Sequence, residues 1–210
     1  MSSKFTPPLA YEVLTPFFDG VCNMMGYGKN FKRMALELSE IVDGEKVLDV
    51  GCGSGTLLIE AKARYPNSDL AGIDPDEKIL RLAESKLERA GLKARLVQGF
   101  AQELPFPSAS FDLVISTLIF HHLSSPVKVK ATREIYRVLK EKGRFLLADF
   151  GKPESTLTKL LLNTGSVFDG RANMKDNIEG KLPILLQEAG FRIIKLEARH
   201  RGVQFCLAIK

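Results

Sequence analysis

Several things this 210-residue chain lacks narrow it before any motif is read. No apolar run approaches the roughly 18–20 residues of a membrane span, and Met1–Pro8 has no long apolar core after Lys4. Neither stable membrane insertion nor a secretory signal is expected. Cysteine is scarce: Cys22, Cys52 and Cys206 form no close pair and no metal-ligand spacing, which argues against a disulfide scaffold and against a zinc or other metal site. Reduced thiols and a cytoplasmic location are the expectation. Internal repeats and low-complexity tracts are missing too, and the length suits one domain, 1–210, with room for a small cap. Nor is there a concentrated charge. Residues 1–46 carry five Lys/Arg against six Asp/Glu, residues 47–150 fifteen against thirteen, and residues 151–210 ten against six. The basic excess of the last third is scattered and lacks interleaved aromatics, so no nucleic-acid partner is expected. Attraction to an acidic substrate, or peripheral contact with an anionic membrane surface, is compatible with it.

What is present is organised around Asp49-Val50-Gly51-Cys52-Gly53-Ser54-Gly55. Lys46-Val47-Leu48 and Val50 have the character of a short buried strand, and Thr56-Leu57-Leu58-Ile59-Glu60-Ala61 reads as the start of a helix. The glycines therefore occupy a strand-to-helix turn, where a ligand can approach the main chain closely. Downstream, strand-like and helix-like segments alternate. Strands are expected at 68–73, 94–98, 111–116 and 144–149, with helices at 76–90, closed by Gly91, and from an N-cap at Ser125 through Leu139 to a stop near Gly143. That rhythm implies right-handed crossovers and a doubly wound α/β sheet. A helix over 182–189 and two closing strands around the His200-Arg201-Gly202 turn complete a seven-stranded, mostly parallel sheet with a C-terminal antiparallel hairpin. Before the first strand, 9–42 is a helical segment broken at Pro16 and at Gly26-Tyr27-Gly28. Phe17, Phe18, Met24, Met25 and Tyr27 there form either an apolar lid or ordinary packing. Residues 151–180 read as a cap or insertion.

Spacing sharpens the glycine turn. The dinucleotide pattern GxGxxG requires a glycine where Thr56 stands. Asp49, two places before a GxGxG, is suited to accepting turn N–H bonds or meeting a ligand ammonium group. Asp74 lies at the expected end of the second strand, where a carboxylate can accept from both hydroxyls of a ribose; its other role would be as a turn or helix-cap residue. His121 and His122 follow the fourth strand, and either could take a proton from an acceptor, or shape the loop. Asp149, ending the fifth strand, is a candidate for orienting substrate, with helix capping or loop bonding as its alternative.

The runs 47–55, Gly72-Ile73-Asp74, 101–107 with Phe111-Asp112-Leu113-Val114, and 139–147 resemble the class I S-adenosylmethionine-dependent methyltransferases, in the branch of the ubiquinone/menaquinone-biosynthesis and other small-molecule enzymes. The resemblance covers about residues 40–150. It implies a Rossmann-like fold, S-adenosylmethionine as cofactor, and methyl transfer to O, N or C of a small-molecule acceptor, with quinones and lipids included. By the same resemblance Asp49, Gly51, Gly53 and Gly55, with Cys52 in the turn, border the methionine portion, and Asp74 holds the ribose. Pro75 and Asp76 border the adenosine, Gly99, Phe100, Ala101 and Gln102 the adenine, and Ser116 and Thr117 approach the methionine end through backbone atoms. Phe100 replaces a frequent aspartate, so an apolar wall and backbone atoms take over at the adenine. The alternatives are a non-catalytic S-adenosylmethionine-binding protein and, against the glycine pattern, a nicotinamide-dependent oxidoreductase.

Overall fold

The computed structural model describes residues 18–153 and 171–210. Its core is one seven-stranded sheet in the order β3-β2-β1-β4-β5-β7-β6. The strands are β1 (Lys46–Val50), β2 (Asp69–Asp74), β3 (Arg95–Gln98), β4 (Phe111–Thr117), β5 (Leu139–Phe150), β6 (Arg192–His200) and β7 (Val203–Ile209). The first five are mutually parallel, β7 runs antiparallel to β5, and β6 closes the hairpin against β7. The hairpin tip places Arg201 and Gly202 at φ 49° and 86°, the left-handed pair that matches the twist of tightly connected strands.

Side chains alternate between the sheet's two faces. Val47, Leu113, Ile115, Leu146 and Ala148 meet α2 (Lys29–Leu38) and α3 (Thr56–Arg64), whereas Leu48, Val50, Val114, Phe145 and Leu147 meet α5 (Ser125–Val138) and α7 (Leu182–Glu188). α4 (Glu77–Arg89) buries Ile79, Leu80, Ala83 and Leu87, as its spacing predicts, and Gly91 follows its C-terminus at φ 66°. A short helix, α1 (Phe18–Met24), precedes α2, and α6 (Arg171–Ile178) lies between β5 and α7. The structure thus has the expected doubly wound sheet with its antiparallel C-terminal hairpin.

Two local expectations change, and one open alternative is decided. The N-cap of α5 is Ser124 rather than Ser125, and its side chain makes no capping bond; Ser125 instead donates to Asp176 Oδ2 at 2.6 Å. α5 stops at Val138 instead of running on to Gly143. Ala109 and Ser110 donate to the last carbonyls of the helix, at Arg137 and Val138, and Leu139 is already paired with Phe111. The register then jumps to Leu113 opposite Arg144, so 139–143 is a bulged opening of β5 with Lys142 at φ 63°. Tyr27, a candidate lid residue, is core: it stacks edge-on with Phe31 and Phe150 and donates its hydroxyl to Arg201 O. Phe17, Pro16 and most of the proposed cap lie outside the described residues, as does the side chain of Phe18, while Met24 and Met25 are exposed.

Gly72 shows how sequence dictates the contact beneath the turn. A Cβ there would stand 2.8 Å from Cys52 Sγ and 2.7 Å from Leu58 Cδ1, so only glycine lets the turn and α3 sit down on β2. We expect Gly72→Ala to destabilise the fold by about 1–3 kcal/mol through overpacking, measured by chemical denaturation. An unchanged midpoint would show that the turn can lift off β2 freely.

Candidate functional site

β1 has β2 on one side and β4 on the other, so chain order reverses across it and a crevice opens at the C-terminal strand ends. The glycine turn lies there. Gly51, Gly53 and Gly55 all have positive φ, at 76°, 51° and 72°. A Cβ on Gly51 would collide with the side chain of Ile119, and one on Gly55 would stand 3.0 Å from Ala83 Cβ. The N–H groups of Gly51 and Cys52 donate to Ile73 O, at 2.8 and 3.1 Å, which ties the turn to β2.

Asp74 holds the same turn from below. Its Oδ2 accepts from Gly53 N at 3.0 Å and its Oδ1 from Asp76 N at 3.0 Å. The cap of α4 is Asp76, which accepts from the N–H groups of Lys78 and Ile79. Burial pushes the Asp74 carboxyl up to about 6, with the two backbone donors opposing. Asp49 is more extreme. It is buried, its Oδ1 has no hydrogen-bond partner among the described residues, and burial raises its carboxyl to about 7; the Lys32 ammonium pulls against this and the Asp74 charge adds to it. A buried carboxyl oxygen without a partner is a costly feature.

Lys32 is a residue the sequence reading missed. It projects from α2 and its Nζ donates to Thr117 Oγ1 at 2.5 Å. Burial depresses its ammonium, and Asp49 is the largest opposing influence. Alternation puts Asp49, on the Val47 face, and Thr117, on the Leu113 and Ile115 face, on the α2 side of the sheet. Ser116 faces the other way and donates its hydroxyl to Val50 O at 3.0 Å. Cys52 turns its thiol into the packing against Gly72, where burial drives it well above the usual thiol range. At the outer rim, Asp19 of α1 accepts from Ser54, Thr56 and Lys86, the last at 2.5 Å, so α1 is latched to the turn. Along β2 and β3, Gly99 N donates to Asp74 O and Gln98 Nε2 to Pro75 O; Ala101 is buried, while Phe100 is exposed.

The opposite face carries a second network centred on Asp149. This fully buried carboxylate accepts from Phe120 N (2.7 Å), Phe150 N (2.7 Å) and Asn177 Nδ2 (3.1 Å), and its Oδ1 lies 2.9 Å from His121 Nδ1. Burial would raise its pKa, but the neighbouring His121 and these donors outweigh it and hold the carboxyl below the usual range. An ionised Asp149 requires a donor at Nδ1, so the neutral His121 ring keeps Nε2 as its acceptor atom. The His121 and His122 rings are 4.0 Å apart, and Leu118, just before them, has φ 60°. Asn177 and Asp176 come from α6, and Lys128, fully buried in α5, donates to Asn173 O at 2.5 Å and lies 3.5 Å from Asp176 Oδ2. Lys128 had a legible signal: it falls on the stripe of Ala131, Ile135 and Val138, where a charge demands buried partners. Lys32 and Asn177 had none, because their partners come from distant strands.

An open sheet with a glycine turn and a carboxylate ending the adjacent strand defines a Rossmann-like nucleotide-binding class. The methyltransferase-domain family matches residues 47–143. Demethylmenaquinone methyltransferase of Thermus thermophilus is 30% identical over 145 residues, 68% of this chain and 65% of that protein. The enzyme of the same name from Listeria welshimeri is 31% identical over 157 residues, 73% and 66% of the two chains. The chain thus spans just under two thirds of the length of these curated relatives. A solved S-adenosylmethionine-dependent methyltransferase of Aquifex aeolicus superposes with a TM-score of 0.68 at 23% identity, over 85% of this chain and 88% of that one. Residues 47–143 thus match a methyltransferase domain, and the fold around them is that of the solved S-adenosylmethionine-dependent methyltransferase of Aquifex aeolicus. No helix among the described residues is long and apolar enough to cross a membrane.

The buried carboxyls give a direct test. Carbon-13 NMR of aspartate-labelled, unliganded protein should show two carboxyls that stay protonated well above the ordinary range and lose their protons near pH 6 and pH 7, assigned through Asp74→Asn and Asp49→Asn. Ionisation of both near pH 4 would mean that water reaches the turn.

Proposed function

We propose that this protein is an S-adenosylmethionine-dependent methyltransferase acting on a small acceptor of the quinol type, with residues 1–210 working as one domain. The observation that carries the cofactor reading is the Asp49 Oδ1 beneath the glycine turn, which has no partner among the described residues. A dinucleotide carries no ammonium group, whereas the amino end of the methionine portion offers one. The residues fit the group: the turn, bare of side chains at Gly51, Gly53 and Gly55, admits the methionine portion against its backbone, and Asp74 is set at the ribose. Phe100, exposed beyond β3, supplies an aromatic surface for the adenine beside Gly99, Ala101 and Pro75. When bound, the cofactor supplies an electrophilic methyl on a sulfonium.

The chain's own work is alignment and proton handling. Asp149 has both oxygens engaged, by Phe120 N, Phe150 N, Asn177 and His121, so it acts through His121, fixing the tautomer and orientation of the ring. His121 Nε2 then accepts the proton of an acceptor hydroxyl, raising the electron density of the atom to be methylated. The likeness to demethylmenaquinone methyltransferases supports an aromatic hydroxyl acceptor. The described parts of the segments before β1 and after β5, namely α1, α2 and α6, are the proposed walls of the acceptor pocket.

Two outcomes follow. Asp74→Ala should weaken S-adenosylmethionine binding, read by calorimetry, by about tenfold to a hundredfold through the loss of charge-assisted hydrogen bonds; unchanged affinity would remove Asp74 from the ribose site. With S-adenosylmethionine and a short-chain demethylmenaquinol, mass spectrometry should detect a methylated product, and His121→Ala should lower kcat by about 10²- to 10⁴-fold with cofactor affinity retained. Full turnover by that variant would exclude His121 as the base, and no product from the wild type would overturn the quinol reading.

A further inference from the structure

We propose that Lys32 is the counter-charge for the carboxylate of the cofactor's methionine portion, and that in the unliganded protein its ammonium is held in waiting on Thr117. The inference rests on the cofactor reading above. An amino-acid end carries a carboxylate on the same carbon as its ammonium, so a pocket that satisfies the ammonium with Asp49 also encloses the carboxylate within a few ångströms. Enclosed without a cation or donor, that carboxylate would oppose binding.

The described cations around the crevice leave one candidate. Lys86 is committed to Asp19, Ser54 and Thr56. Lys128 is on the other face of the sheet, bound to Asn173 and Asp176. Lys32 is on the Asp49 face, half-buried, and the bond it makes there is to a neutral hydroxyl, Thr117 Oγ1. Asp49 is the group that acts on its charge most strongly, and among the described residues no carboxylate forms an ion pair with it. Thr117 ends β4 and Asp49 lies in β1, the strand paired with it, so the hydroxyl that holds the ammonium stands on the strand beside Asp49.

The mounting of Lys32 suits such a role. Its neighbour Phe31 is fully buried against Tyr27, Phe205 and His200, which fixes the base of the side chain. The four-carbon stem then lets the ammonium swing from a hydroxyl to an incoming carboxylate without displacing α2. In the free protein the same ammonium tempers the charge of Asp49, so one residue serves both states.

Decarboxylated S-adenosylmethionine retains the sulfonium, the adenosine and the amino group but lacks the carboxylate. Calorimetric titration of wild type, Lys32→Met and Lys32→Arg with both compounds tests the assignment. The wild type should bind S-adenosylmethionine about tenfold or more tightly than the decarboxylated form, the scale of one charge-assisted contact. Lys32→Met should lose that advantage by weakening only S-adenosylmethionine, with the decarboxylated compound bound as well or better, and Lys32→Arg should keep most of it. A wild type that does not discriminate overturns the assignment whatever the variants do. So does a Lys32→Met protein that loses both compounds equally, or neither. A wild type that binds neither compound overturns the cofactor reading itself, and Lys32's role with it.

Discussion

The burial of two carboxylates at adjacent strand ends is the constraint to which the crevice is built. Asp49 and Asp74 sit on neighbouring parallel strands, on the same face of the sheet, and both are raised by burial. Taking a carboxylate out of water costs several kcal/mol unless donors or cations compensate. Asp74 is compensated by the N–H groups of Gly53 and Asp76, and those bonds fix the shape of the turn. Asp49 is compensated only in part, by the charge of Lys32. The positive φ values of the turn, the need for glycine at position 72 and the position of α2 all follow from bringing the turn down onto these two groups.

The same sheet sorts its second set of charges to the other face. Asp149 gathers donors from the loop after β4, from its own strand's end and from α6, and in doing so orients His121. One face therefore handles groups near the glycine turn, the other a histidine with a defined acceptor nitrogen. Both open at the C-terminal strand ends, because in a parallel sheet all the loops that follow the strands emerge at one edge.

Much of this was legible in the chain. Alternating apolar segments, Gly91 as a helix stop and the Arg201-Gly202 tip gave the sheet and its hairpin, because burial periodicity and turn stereochemistry are local properties. Asp49, Asp74, His121 and Asp149 were legible as chemistry-bearing positions because each sits where a strand ends. The bulged opening of β5 was not. Residues 139–143 keep a helix-compatible pattern, and the partners that turn them into strand, Phe111 and the donors at Ala109 and Ser110, are nearly thirty residues away. The N-cap of α5 slipped by one residue because Ser125 found a better partner in Asp176.

By itself, then, the sequence determined the fold class, the strand-to-helix turn that cannot carry side chains, and the acidic residues beside it, since these depend on backbone dihedrals and on spacing along the chain. Tertiary structure alone decided what state those acids are in. That Asp49 keeps an oxygen without a partner among the described residues while Asp74 does not, that the charge of Lys32 acts on Asp49, and that Asp149, held by Asn177, meets His121 Nδ1 all depend on burial and on contacts between residues far apart in the chain. Protonation follows the local dielectric and the nearest charges, and both are made only when the sheet closes.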